Sequence, residues 1–145
     1  MTTRDASVHW TGTISEGSGQ LTLDSSNIGP YAVSWPARVG DPDGQTSPEE
    51  LIAGAHASCL AMNLAGVLAG EGLTPTTIDV SATATFGKDP AGGYRISGID
   101  ITLRATVPGV DAERFAGLAA TAERTCPVTK ALAGTTITLD AALDS

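Results

Sequence analysis

The chain has 145 residues, a size that suits one domain with a real core and leaves no room for two well-packed ones. Charged residues make up 17% and hydrophobic residues 41%, the composition of an ordered globular protein. Eight Lys plus Arg against sixteen Asp plus Glu give a formal net charge of −8 with no basic cluster, which argues against nucleic acid as a partner and for an acidic, soluble surface.

Residues 1–10 contain Arg4, Asp5 and His9 and no apolar run of signal-peptide length, so no leader is expected. The next segments read as short strands: Ser7 to Ile14, then Gln20 to Asp24 with Leu21 and Leu23 alternating against polar neighbours, then Tyr31 to Trp35. Gly and Ser punctuate them. Gly40, Asp41, Pro42, Asp43 and Gly44 form a turn-rich loop before the first helix.

Ser47-Pro48-Glu49-Glu50 is a helix start, with a Ser cap, Pro at the first helical position and Glu50 placed to complete a capping box. The helix is expected to run to about Gly70. Its segment from Leu51 to Gly70 lacks charge and matches the length of roughly 20 residues that spans a bilayer. A membrane span is nevertheless rejected, because His56, Ser58 and Asn63 interrupt it, it is rich in Ala and Gly, and no Lys/Arg cluster flanks it. A helix covered on several sides within a globular core is the expectation.

Thr77 to Phe86 and Tyr94 to Val107 alternate apolar and polar residues and are joined by Asp89-Pro90-Ala91-Gly92-Gly93, which predicts a long antiparallel pair. A second helix is expected from Asp111 to about Arg124, a short third from Pro127 to near Gly134, and a closing strand from Ile137 to Ala141. This order describes an α+β fold made as a single domain over residues 1–145. No GxGxxG or P-loop follows any strand, so no nucleotide cofactor is expected.

Two cysteines in a chain without an export signal belong to a reducing, cytoplasmic compartment, where redox chemistry is more plausible than a permanent structural bridge. A single interior Cys is most often a small core hydrophobe. Cys126 stands at a cap position before Pro127, where backbone N–H groups favour a thiolate. Cys59 lies mid-helix, where burial raises a thiol pKa, so a nucleophilic Cys59 requires a cation. Arg38 is the best placed by sequence, although it also reads as an ordinary strand-end surface charge. Glu50 is occupied by the capping box, which leaves Glu49 as the carboxylate able to hold a guanidinium bidentately.

His56, three residues before Cys59 on the same helix face, raises a Cys-His hydrolase or a metal site. The hydrolase lacks a group to orient the His. A zinc site from His9, His56, Cys59 and Cys126 lacks any paired ligand spacing, so no metal is expected. A structural His56 is the plainer reading.

His9-Trp10, the run Ser47-Pro48-Glu49-Glu50-Leu51-Ile52 leading to Ala55-His56-Ala57-Ser58-Cys59, Leu73-Thr74-Pro75, Val107-Pro108-Gly109-Val110-Asp111, Thr125-Cys126-Pro127-Val128 and Ile137-Thr138-Leu139-Asp140 occur in order along the chain. Together they resemble OsmC, within the OsmC/Ohr family of peroxiredoxin-like hydroperoxide reductases. The resemblance implies antiparallel sheets packed around a long central helix, in an intertwined homodimer with active sites at the subunit interface. It also implies a peroxidase that acts on organic hydroperoxides and more weakly on hydrogen peroxide. Carried over residue by residue, Cys59 is the nucleophile that becomes a sulfenic acid, Cys126 the resolving thiol that forms a disulfide with it, and Arg38 and Glu49 the charged pair. An external dithiol is the implied reductant, with no cofactor. The alternatives are a non-catalytic redox sensor or binding module, and the Cys-His hydrolase.

Overall fold

The computed structural model describes residues 1–144. The chain forms two compact units, Met1–Leu51 and a second from Ile52 onward.

The first unit holds a three-stranded antiparallel sheet of β1 (Ser7–Thr11), β2 (Ser18–Leu23) and β3 (Ile28–Val33), with β2 in the centre. β1 ends earlier than the expected Ile14, because Gly12 takes up a left-handed conformation (φ 90°) that turns the chain. Gly17 closes the hairpin, and a Cβ there would lie 2.3 Å from the Thr13 carbonyl oxygen, so only glycine fits. β3 also stops short of the expected Trp35. Ser34 caps a short helix, α1 (Trp35–Val39), by accepting the Ala37 N–H at 3.3 Å, with Pro36 in its first turn. Arg38 therefore sits in the last turn of a helix and not at a strand end.

α2 (Pro48–Gly70) begins in the first unit and continues through the second. Ser47 accepts the Glu50 N–H at 3.1 Å, which is one half of the expected capping box. The other half is absent, since the Glu50 carboxylate instead accepts the Thr46 hydroxyl at 2.7 Å.

In the second unit, β4 (Thr77–Lys88) pairs antiparallel with β5 (Tyr94–Thr106), with a bulge at Ser97, and Gly92 and Gly93 make the left-handed turn between them. β6 (Thr136–Leu143) joins the other edge of β5 in parallel, so this sheet is mixed where an antiparallel one was expected. A parallel neighbour requires a long crossover. α3 (Ala112–Thr125) and α4 (Pro127–Ala131) supply it, α4 ending before the expected Gly134.

One face of this sheet, carrying Ile99, Ile101, Leu103 and Ala105 of β5, packs with Phe115, Ala119 and Ala122 of α3 and with Leu60, Leu64 and Leu68 of α2 to form the core. The other face carries exposed Asp79, Thr83, Asp100 and Thr138, the alternation of a sheet with one covered side. The α2 core contacts recur at every fourth residue, His56, Leu60, Leu64 and Leu68, all at 0% exposure, whereas Met62 is 70% exposed. Within the single chain α2 is thus covered along one stripe and not on several sides. By length and hydropathy alone it matches a membrane-spanning helix, a test that the core helix of a globular unit also passes.

Candidate active site

Two pairs of the residues singled out by sequence come together, one in each unit. In the second unit, Cys59 projects from α2 and Cys126 links α3 to α4, and their sulfurs lie 2.9 Å apart in an S–H···S contact although the residues are 67 apart in sequence. Both are free thiols, Cys126 fully buried and Cys59 partly exposed.

The two thiols differ in where they hold their protons. Burial pushes the Cys59 pKa up, and the hydrogen bond to Cys126 pushes it the same way, against a smaller opposing effect of the Val128 N–H. Burial also acts to raise Cys126, but the hydrogen bond with Cys59, the N–H groups of Thr129 and Val128 and the Thr129 hydroxyl outweigh it and bring this thiol below its ordinary value. Cys126 makes no side-chain capping hydrogen bond at α4. Between the two, these surroundings favour the proton on Cys59 and ease the ionisation of Cys126.

In the first unit, the Arg38 guanidinium grips the buried Glu49 carboxylate with three contacts: Nε to Oε1 and Oε2 at 3.1 Å each, and Nη2 to Oε1 at 2.7 Å. Glu49 occupies the first turn of α2, where exposed N–H groups favour a carboxylate. Arg38 also lies over the Trp35 ring, 5.8 Å from its centroid. A small pocket of about 110 Å³ opens beside it, walled by Trp10, Ile14, Val33, Trp35 and Pro48.

His56 is not directed at Cys59. Its Nε2 lies 2.8 Å from Thr129 Oγ1, and burial lowers its pKa, Glu123 opposing in part. Among the described residues no group of three or more His, Cys, Asp or Glu side chains gathers as a metal site. Two polar residues escaped the sequence reading. Asn63 of α2 ties down the end of α3, and Thr129 contacts His56. An Asn in an otherwise apolar helix was the available signal for the first; nothing local marked the second.

Two free thiols in contact on this α+β fold point to thiol chemistry, and comparison with known proteins gives the family. The OsmC-like protein family matches residues 40–140. The chain is 38% identical over 137 residues to peroxiredoxin OsmC of Escherichia coli (strain K12), covering 94% of each chain. It is 32% identical over 104 residues to the organic hydroperoxide resistance protein of Xanthomonas axonopodis pv. citri (strain 306), covering 70% of each. Among solved structures, an organic hydroperoxide resistance protein from Elizabethkingia anophelis superposes with a TM-score of 0.79 at 24% identity over 99% of this chain and 98% of that one. An organic hydroperoxide resistance protein OsmC from Legionella pneumophila gives 0.74 at 21% identity, over 98% of both chains. The chain belongs to the OsmC-like protein family, and it is an enzyme of the peroxidase class.

Proposed function

We propose that the protein reduces organic hydroperoxides, and hydrogen peroxide more weakly, with Cys59 as the attacking thiol and Cys126 as the resolving one. The observation that carries this reading is the 2.9 Å approach of the two sulfurs. A thiolate at Cys59 attacks the distal peroxide oxygen, the O–O bond breaks, the alcohol leaves with a proton, and Cys59 becomes a sulfenic acid. Cys126 then attacks the Cys59 sulfur, the S–S bond forms at about 2.05 Å, and the sulfenic oxygen departs as water. An external dithiol returns both thiols by exchange.

The resting proton position sets a requirement for the first step. Cys59 must lose its proton to react, and its own surroundings hold that proton on. A cation is needed to tip the balance, and Arg38 is the one we assign, with Glu49 as its anchor. Arg keeps its charge when buried and can hold Glu49 with one edge while offering other N–H groups to a sulfur or a peroxide.

We assign the active form to a homodimer with its sites at the subunit interface, working as one functional domain per chain in a reducing, cytoplasmic compartment. Exposed apolar residues support a partner subunit: Val8, Trp10, Ile28 and Tyr31 in the first unit and Met62 on α2. The hydrolase alternative loses support, because His56 is hydrogen-bonded to Thr129 and not to Cys59. A redox sensor would form the same disulfide once, without turnover.

The test is to treat the reduced protein with one equivalent of cumene hydroperoxide and identify the products by mass spectrometry. A Cys59–Cys126 disulfide with one equivalent of cumyl alcohol, followed by repeated turnover when dihydrolipoic acid is supplied, is expected. A single turnover with the dithiol present would favour the sensor, and intact thiols after treatment would contradict the reading.

A further inference from the structure

His56 and Asn63 lie one turn either side of Cys59 on α2, and each reaches across to the segment that carries Cys126. On one side, His56 Nε2 meets Thr129 Oγ1 at 2.8 Å. On the other, the Asn63 amide donates to the Ala122 carbonyl at 2.6 Å and to Thr125 Oγ1 at 2.8 Å, in the last turn of α3. Thr125 precedes Cys126 directly and Thr129 follows it by three residues, so the resolving sulfur is fastened to the Cys59 helix from both flanks.

Packing alone does not account for His56. It continues the stripe of Leu60, Leu64 and Leu68, all at 0% exposure, where another Leu would fill the space without desolvating a polar ring. The His pays for its place with a buried Nδ1 that has no hydrogen-bond partner. What it supplies in return is a directed bond to Thr129.

The tautomer follows from chemistry. An orphaned buried N–H is rarer than an orphaned acceptor, which puts the hydrogen on Nε2 and the bare lone pair on Nδ1. Nε2–H then donates to Thr129 Oγ1, leaving the Thr129 hydroxyl hydrogen free for the Cys126 sulfur, whose thiolate that hydroxyl favours. The opposite tautomer would turn the hydroxyl hydrogen toward the ring and away from the sulfur.

We propose that His56, through Thr129, and Asn63, through the end of α3, are positioning residues for the second chemical step, holding Cys126 against Cys59 so that a sulfenic acid is captured before a second peroxide reaches it. The inference rests on the reading of Cys59 as the peroxide-reactive thiol. Two reactions compete for that sulfenic acid. In one, the Cys126 thiolate bonds to the Cys59 sulfur, the S–O bond breaks, and the oxygen leaves as water with the proton that Cys126 gave up on ionising. In the other, a second hydroperoxide transfers an oxygen, giving a sulfinic acid and an alcohol. Loosening either fastening slows only the first.

The experiment titrates the reduced protein with cumene hydroperoxide and measures, by mass spectrometry, the ratio of Cys59–Cys126 disulfide to Cys59 sulfinic acid. This partition does not depend on how fast the first oxidation occurs. For H56L, T129V and N63L the peroxide concentration that gives equal amounts of the two products should fall about tenfold, the scale of one net hydrogen bond. T129S, which keeps the hydroxyl, should restore the wild-type ratio. An unchanged ratio in T129V, or equal falls in T129V and T129S, would overturn the proposal, and this pair decides even if H56L or N63L fails to fold. A wild-type protein whose Cys59 stays reduced would instead overturn the underlying reading of Cys59.

Discussion

The Cys126 sulfur lies 2.9 Å from that of Cys59, yet the surroundings of the buried cysteine favour its thiolate and those of the more exposed one favour its thiol. Desolvation alone would rank them the other way. The hydrogen bond with Cys59, together with donors from Thr129 and Val128, reverses the order, and the roles we assign divide accordingly. In the reaction we propose, Cys126 resolves and Cys59 needs a cation to attack.

Removing the resolving thiol should expose that division. Cys126→Ser, treated with one equivalent of peroxide, should leave a sulfenic acid at Cys59 that a dimedone probe traps in full, and excess peroxide should carry it to the sulfinic acid. Mass spectrometry reads both products. Absence of a dimedone adduct at Cys59 would count against the order of steps.

The Arg38–Glu49 pair should behave as a unit. Arg38→Ala is expected to raise the Cys59 pKa and to slow its oxidation at least about tenfold, since each pKa unit is about 1.4 kcal/mol, and Arg38→Lys should recover part of that loss. Glu49→Gln should also slow oxidation, although removing a negative charge would by itself lower a thiol pKa, because the guanidinium loses its three-contact anchor. Thiol titration and peroxide kinetics on the single and double variants give a coupling energy. Strictly additive effects would mean that the two residues do not act as a unit.

Substrate preference should follow the apolar wall beside Arg38. The pocket of about 110 Å³ between Trp10, Ile14, Val33 and Trp35 has room for a small alkyl or aryl group, and each buried methylene contributes about 0.8 kcal/mol. Cumene hydroperoxide should therefore react with a second-order rate constant above that for hydrogen peroxide, and Trp35→Ala should narrow the gap. Faster reaction with hydrogen peroxide would contradict this.

Acid should weaken the fold through His56. Its folded pKa is lowered from 6.5, mainly by burial, so the unfolded chain binds the proton more readily. Stability is then fully present above pH 6.5 and declines as the pH falls below it, because the unfolded state takes up more protons in that window. Chemical denaturation from pH 8 to pH 5 should show this slope in the wild type and a shallower one in His56→Leu. Identical slopes would assign the effect to other groups.

Much of this architecture was legible in the chain. Ser47-Pro48 fixed the start of α2 through local capping chemistry, and the alternation from Ile78 to Phe86 and from Ile99 to Val107 marked the long strand pair. The parallel placement of β6 was not, since a strand's direction relative to a neighbour depends on its crossover and leaves no trace in its own pattern. α1 was legible but overlooked: Ser34 and Pro36 signal a helix start, while the aromatic Trp35 reads as strand. At the site, Glu49 was legible as the carboxylate left for Arg38, although Glu50 is engaged by the Thr46 hydroxyl and not by the expected capping box. The His56–Thr129 contact joins residues 73 apart, and only the folded chain brings them together.

The central claim is tested most directly by steady-state turnover of cumene hydroperoxide with dihydrolipoic acid as reductant, comparing the wild type with Cys59→Ser. The wild type should consume many equivalents of peroxide per subunit. Cys59→Ser, folded by circular dichroism and with Cys126 intact, should consume none above the dithiol background. Turnover in Cys59→Ser equal to that of the wild type would show that the peroxide is reduced elsewhere and would contradict the account.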